Sequence, residues 1–197
     1  MAQPNTKAWS VEDYFLFEEQ ETTKYEYLDG LVYALHASDV EAMAGASEAH
    51  IIITGNIFAQ LHSALDGQTC RAYQSDMRVQ ATDSTFFYPD VVAVCGERDF
   101  RDENRTTLTN PTVVFEVLSP STENYDRGKK FIAYRQCSSL KTYILVSQDK
   151  QRIEHYERQA DDSWVLREYS KASSQTEILI RSLGMTLTFS AIYANIE

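Results

Sequence analysis

Thr112-Val-Val-Phe-Glu-Val-Leu-Ser-Pro-Ser-Thr122 is the stretch whose reading decides the fold. Thr112 to Leu118 is dense in β-branched and apolar residues, which predicts a strand buried on both faces. On an alternating strand Val113, Phe115 and Val117 face one side, and Val114, Glu116 and Leu118 the other. Ser119-Pro-Ser-Thr122 reads as a turn into a helix over roughly 123–136, and 142–147 reads as the next strand.

Working outward, short strands are predicted near 69–72, 77–81 and 91–95, followed by a polar loop over 96–110. Ile53, Ile57, Leu61 and Leu65 recur at spacings of four and predict a helix over 47–65. Asp29-Gly30 between apolar runs predicts a type I′ hairpin over 25–35. Ser10 and Asp13 resemble a capping box that opens a short helix to about Glu19. Downstream, 152–157 and 164–169 read as antiparallel strands, 185–188 as a last strand and 189–195 as a final helix. No repeat, low-complexity run or linker interrupts this order. The expectation is one α/β domain over 1–197, built on a mixed sheet.

The composition, 43% hydrophobic and 24% charged, excludes long disorder, collagen and coiled coil. No apolar run is long enough to cross a bilayer, and Met1 to Ser10 lacks the basic start and apolar run of a leader. A cytoplasmic location is expected. The net charge of −11 argues against strong non-specific nucleic-acid binding, because phosphate affinity comes mainly from Lys and Arg. Cys70, Cys95 and Cys137 are odd in number and widely spaced, and are expected as reduced thiols. Walker A, GxGxxG, HExxH and EF-hand motifs are absent.

Three features remain. Glu116 sits in a strand whose faces are otherwise apolar, and an unpaired buried carboxylate costs several kcal/mol or shifts its pKa. Either a cation compensates it or it does chemical work. Asp90 follows Pro89 at the start of Val91-Val-Ala-Val94, and reads equally as a turn-closing residue or a functional carboxylate. Asp126, Lys130 and Tyr134 fall at i, i+4 and i+8 on one helical stripe. Alone, Asp126 and Lys130 would be a surface ion pair. From Arg127 to Gln148 there are five basic residues and no acidic one, a local positive face. Together, two carboxylates and a lysine suit Mg²⁺ or Mn²⁺, which prefer oxygen ligands and activate phosphoryl groups and water.

The pattern resembles the PD-(D/E)XK nuclease superfamily, and within it the Uma-two family of endonucleases. Tyr25-Glu-Tyr-Leu-Asp-Gly30, Tyr88-Pro-Asp-Val-Val-Ala-Val94, Phe115-Glu-Val-Leu-Ser-Pro-Ser-Thr122, Asp126-Arg-Gly-Lys-Lys130 and Tyr134 carry the resemblance, which spans about residues 10 to 195. It implies a restriction-endonuclease-like fold: a central mixed β-sheet flanked by helices, with an extra N-terminal hairpin and C-terminal strands. It also implies a Mg²⁺- or Mn²⁺-dependent endonuclease. Asp90 and Glu116 would be metal ligands, joined by the backbone carbonyl of Val117. Leu118 stands where the superfamily usually has Lys, so Lys130 from the next helix would take that role, with Lys129 as its substitute.

Accessory positions follow from the same set. Glu26 matches an acidic position of the family's early hairpin, and reads either as a further ligand or as an exposed strand residue. Asp126 and Tyr134 flank Lys130, with Tyr134 expected to pack and orient it. His50 shares a stripe with Ile53 and Ile57, so a core-edge histidine is the first reading and an accessory catalytic role the second. Asp76 and Arg78 are expected to pair. Glu12, Asp13, Glu18, Glu19 and Glu21 are expected to be a solvated helix and its flank. The expected substrate is nucleic acid, with DNA ahead of RNA. The alternative is a catalytically degenerate regulatory or interaction module. A homodimer is expected because the superfamily often pairs to reach two strands, and 12 Tyr with 9 Phe offer interface anchors.

Overall fold

The computed structural model describes residues 8–35 and 46–196. His36 and the segment before Ala8 lie outside the described residues. Helix α1 (Val11–Glu18) leads into the hairpin β1 (Tyr25–Leu28) and β2 (Leu31–Ala34). The long helix α2 (Glu48–Ala64) follows, then β3 (Arg71–Gln74), β4 (Arg78–Thr82), β5 (Thr85–Phe87), β6 (Val91–Val94), β7 (Thr107–Leu108) and β8 (Val113–Leu118). Next come α3 (Glu123–Tyr125), a π-helical turn over Asp126–Lys130 and α4 (Phe131–Tyr134). The chain ends with β9 (Thr142–Ser147), β10 (Arg152–Arg158), β11 (Trp164–Ser170), β12 (Glu177–Ile180), β13 (Met185–Thr188) and α5 (Phe189–Ile192).

Local chemistry explains the element ends. Ser10 accepts the Asp13 N–H at 3.0 Å and Ser47 accepts the His50 N–H at 3.1 Å, each satisfying an otherwise orphaned helical donor. Asp29 and Gly30 have φ of 46° and 90°, the two positive values a type I′ turn requires. Strands β5, β7 and β12 are too short or too irregular to carry a period-two signal, and the sequence did not predict them.

The central sheet runs β11-β10-β9-β8-β6-β3. Its β8–β9 pair is parallel and its other pairs are antiparallel. A second sheet runs β2-β1-β5-β4-β7, and β12 pairs with β13. Val113, Phe115 and Val117 pack with Ile53, Ile57 and Leu61 of α2. Val114 and Leu118 face the other way, onto Ala133 and Tyr134 of α4 and Phe87 of the second sheet. The alternation predicted for β8 is therefore present, with helices against both faces. Glu116 belongs to the α4 side. Fully burying a Val, Leu or Phe side chain is worth roughly 1.5–3 kcal/mol, so both apolar faces fix the register of β8.

Three local expectations need correction. Cys70 and Cys95, one step beyond the cross-strand pair of Arg71 and Val94, form a disulfide, and only Cys137 is free. Wide sequence spacing misled because β3 and β6 bring the two cysteines side by side. Asp76 and Arg78 do not pair with each other: Asp76 pairs with Lys24 and Arg78 with Glu18. Glu18 is thus not solvated, because Arg78 draws it inward.

Candidate active site

Asp90 is held at the start of β6, an interior strand of the central sheet. Pro89 precedes it, and proline is tolerated where a strand begins. Val91 pairs with Phe115, so one further step sets Asp90 beside Glu116 on the neighbouring strand. The Asp90 Oδ2 accepts the Val117 N–H at 2.7 Å. Its Oδ1 lies 2.9 Å from His50 Nε2. His50 thus leaves the core-edge role and faces the carboxylate.

Glu116 is 3% exposed. Its Oε1 accepts a hydrogen bond from Lys130 Nζ at 3.0 Å. The same ammonium lies 2.8 Å from Glu26 Oε1 and 3.6 Å from Asp126 Oδ1. All four side chains are buried. Asp126 and Lys130 are therefore no surface pair, and Glu26 is no exposed strand residue. Glu26 also accepts the Tyr88 N–H at 3.2 Å. Lys129 is exposed and its Nζ is 3.5 Å from the Tyr33 hydroxyl, so it does not replace Lys130.

The π turn explains how Lys130 reaches inward. Single π turns are frequent at functional sites, and this one carries Lys130 toward Glu116. This one is pinned on two sides. Tyr143 of β9 donates its hydroxyl to the Asp126 carbonyl at 3.0 Å. Arg127 donates to Glu154 of β10 from Nε at 3.0 Å and from Nη2 at 2.9 Å. The sequence carried no signal of either the π turn or the Arg127–Glu154 clamp. Tyr134 is fully buried against Phe87 and Tyr143, and among the described residues its hydroxyl has no partner.

The electrostatics follow from burial. Burial alone would lower the Lys130 ammonium, but Glu116, Glu26 and Asp126 outweigh it and hold the pKa well above the ordinary value. Burial raises Glu116, Glu26 and Asp126, against the pull of Lys130. Burial lowers the His50 imidazole, yet the Asp90 hydrogen bond and charge outweigh it and raise the pKa. When ionised, three buried carboxylates around one ammonium carry two negative charges in excess, which is why burial raises them despite Lys130. The side chains of His50 and Asp90 are 18% and 19% exposed, against 6% for Lys130. The site therefore opens to solvent at the Asp90–His50 end.

Among the described residues, no three His, Cys, Asp or Glu side chains form a ready-made metal cage. A hard divalent cation does not need one, because Mg²⁺ is commonly held by one or two carboxylates with waters and substrate phosphates. Each carboxylate oxygen has two lone pairs, so Asp90 and Glu116 keep acceptor capacity beyond the hydrogen bonds described. The donor set and the uncompensated negative charge fit such an ion.

Residues 11–190 match the model of the Uma2 family, described as "Putative restriction endonuclease". The chain belongs to this family. Two uncharacterized proteins of Synechocystis sp. are similar to it. The first, slr1290, is 35% identical over 93% of this chain and 90% of its own length. The second, sll1609, is 33% identical over 90% of this chain and 96% of its own. A crystal structure from Anabaena variabilis, described as "a putative nuclease belonging to DUF820", superposes with a TM-score of 0.73. It covers 94% of this chain and 98% of that one at 16% identity, a likeness of fold alone. The Uma2 fold seen here is the restriction-endonuclease-like arrangement expected: mixed sheets flanked by helices. Among the described residues no helix is long and apolar enough to cross a membrane.

Proposed function

We propose that this Uma2 protein is a Mg²⁺- or Mn²⁺-dependent endonuclease that hydrolyses phosphodiester bonds of DNA. The observation that carries the reading is Asp90 beside Glu116, with Lys130 Nζ 3.0 Å from Glu116 and the site open at Asp90. Asp90, Glu116 and the Val117 carbonyl would hold the ion. When bound, it supplies Lewis acidity toward a phosphoryl oxygen and lowers the pKa of water. Lys130 then orients the attacking water beside Glu116 and offsets negative charge developing on the phosphate. Glu26 and Asp126 hold that ammonium in place, and Tyr134 packs beneath it. The −11 charge disfavours long stretches of non-specific duplex contact, so binding depends on this site and the local face around Lys129 and Arg135. The protein acts as one domain in the cytoplasm, as a homodimer that reaches both strands. A 22.5 kDa particle in light scattering refutes the dimer.

The test is calorimetric titration of Mn²⁺ into the wild type and Glu116→Gln, both shown to be folded, followed by cleavage assays. Duplex, single-stranded and branched DNA are run in parallel with RNA. Binding lost in the variant, with Mn²⁺-dependent cleavage of DNA, is expected. One observation favours a second reading. Leu118, at the usual Lys position, is packed in an apolar cluster. A wild type that binds no Mn²⁺ and cleaves nothing is a degenerate interaction module.

A further inference from the structure

Asp90 has both carboxylate oxygens engaged, each from a different element. Val117 N–H of β8 reaches Oδ2 at 2.7 Å, and His50 Nε2 of α2 lies 2.9 Å from Oδ1. Ser47 caps α2 and fixes the turn on which His50 stands. The first turn of α2 is thereby anchored at the mouth of the site, where Asp90 is the more open of the two carboxylates. A carboxylate gripped at both oxygens can neither rotate nor swing toward solvent, yet each oxygen keeps a free lone pair.

We propose that His50 is a positioning residue: its Nε2–H donates to Asp90 Oδ1 and, with the Val117 N–H, fixes the carboxylate plane that a divalent cation meets. The inference rests on the metal reading of the same site and deepens it. A donor behind a ligating carboxylate typically governs metal affinity 10- to 100-fold. With Nε2 occupied by Asp90 Oδ1, that nitrogen is not free to ligate the ion.

Mn²⁺ binding by calorimetry in wild type, His50→Leu and His50→Gln tests this, with folding checked by circular dichroism. Glutamine places an amide N–H near the position of Nε2. His50→Leu should weaken Mn²⁺ roughly 10- to 100-fold, and His50→Gln should stay within about threefold of wild type. The Mn²⁺ electron spin echo of the wild type should carry no coupling from histidine nitrogen. Wild-type affinity in His50→Leu overturns the proposal, as does equal weakening in both variants. Histidine-nitrogen coupling overturns it in favour of direct ligation. A His50→Leu that fails to fold leaves His50→Gln and the spin echo to decide. Absence of Mn²⁺ binding in the wild type overturns the metal reading itself, and the role of His50 with it.

Discussion

Lys130 Nζ on the π turn lies 2.8 Å from Glu26 Oε1 on the N-terminal hairpin, with both side chains buried. That contact ties the second sheet to the helix behind the central sheet. It also makes the ammonium the shared counter-ion of Glu26, Glu116 and Asp126. Lys130→Met should cost about 3–5 kcal/mol, the usual penalty for stranding buried charge. Burial already raises the pKa of these carboxylates, so their ionised forms oppose folding more as pH rises. Urea unfolding should therefore show a larger deficit at pH 8 than at pH 5. Adding Glu26→Gln should recover part of the loss.

The Arg127–Glu154 clamp is testable separately. Burial raises Glu154, but the hydrogen bonds and charge of Arg127, together with Tyr156 and Arg152, outweigh it and leave the pKa below the ordinary value. Arg152 Nη2 at 2.7 Å and the Tyr156 hydroxyl at 3.1 Å complete the set. Arg127→Leu should cost about 2 kcal/mol at pH 7, as for hydrogen bonds to a charged group. A carboxylate with a depressed pKa stabilises the fold above its unfolded pKa and loses that contribution as pH falls through the folded one. The gap between wild type and Arg127→Leu should close in acid, measured by chemical denaturation from pH 7 downward.

His155 predicts a second acid sensitivity, remote from the site. It is 1% exposed, and among the described residues neither ring nitrogen has a partner. Burial lowers its pKa from 6.5 to about 4, with Glu157 opposing and Arg167 and Arg181 reinforcing. The unfolded chain binds the proton first, so stability is full above pH 6.5 and falls as pH drops toward 4. The loss is about 3 kcal/mol at its limit. His155→Phe should flatten the stability profile over that window. An unchanged profile would show that another group governs it.

The Cys70–Cys95 disulfide gives a direct thiol count. Denatured, unreduced protein should titrate one thiol, Cys137, and reduced protein three. The bridge spans a sequence separation of 25, so its loss should lower stability by about 3 kcal/mol on the chain-entropy account. Melting with and without a reductant reads the difference. Three thiols before reduction would restore the expectation of free cysteines.

Much of the molecule was legible in order of sequence. The β8 alternation, the Asp29-Gly30 turn and the Ser47 cap are local features, written in neighbouring residues. The same locality made Glu116 conspicuous as a carboxylate in an apolar strand. The two readings of His50 stayed open in the sequence because a helical stripe shows which face a residue occupies, not what meets that face. Asp76 and Arg78 are two apart in sequence, but Asp76 stands in the turn before β4 and each pairs across space, with Lys24 and Glu18 respectively. The cysteines failed for a related reason: sequence spacing is no measure of distance between paired strands.

The sequence by itself determined the main helices and strands, the family, and Glu116 as a carboxylate out of place, with Asp90 and Lys130 singled out through the family's motifs. Period, capping and turn chemistry act over a few residues, and an apolar pattern cannot hide a charge. Only the tertiary structure decided which charges share a counter-ion. It brought Glu26 to Lys130, His50 to Asp90 and Cys70 to Cys95. Those pairings depend on how strands and helices are ordered in space. That order is set by burying both faces of the central sheet at once, which no local stretch of chain specifies.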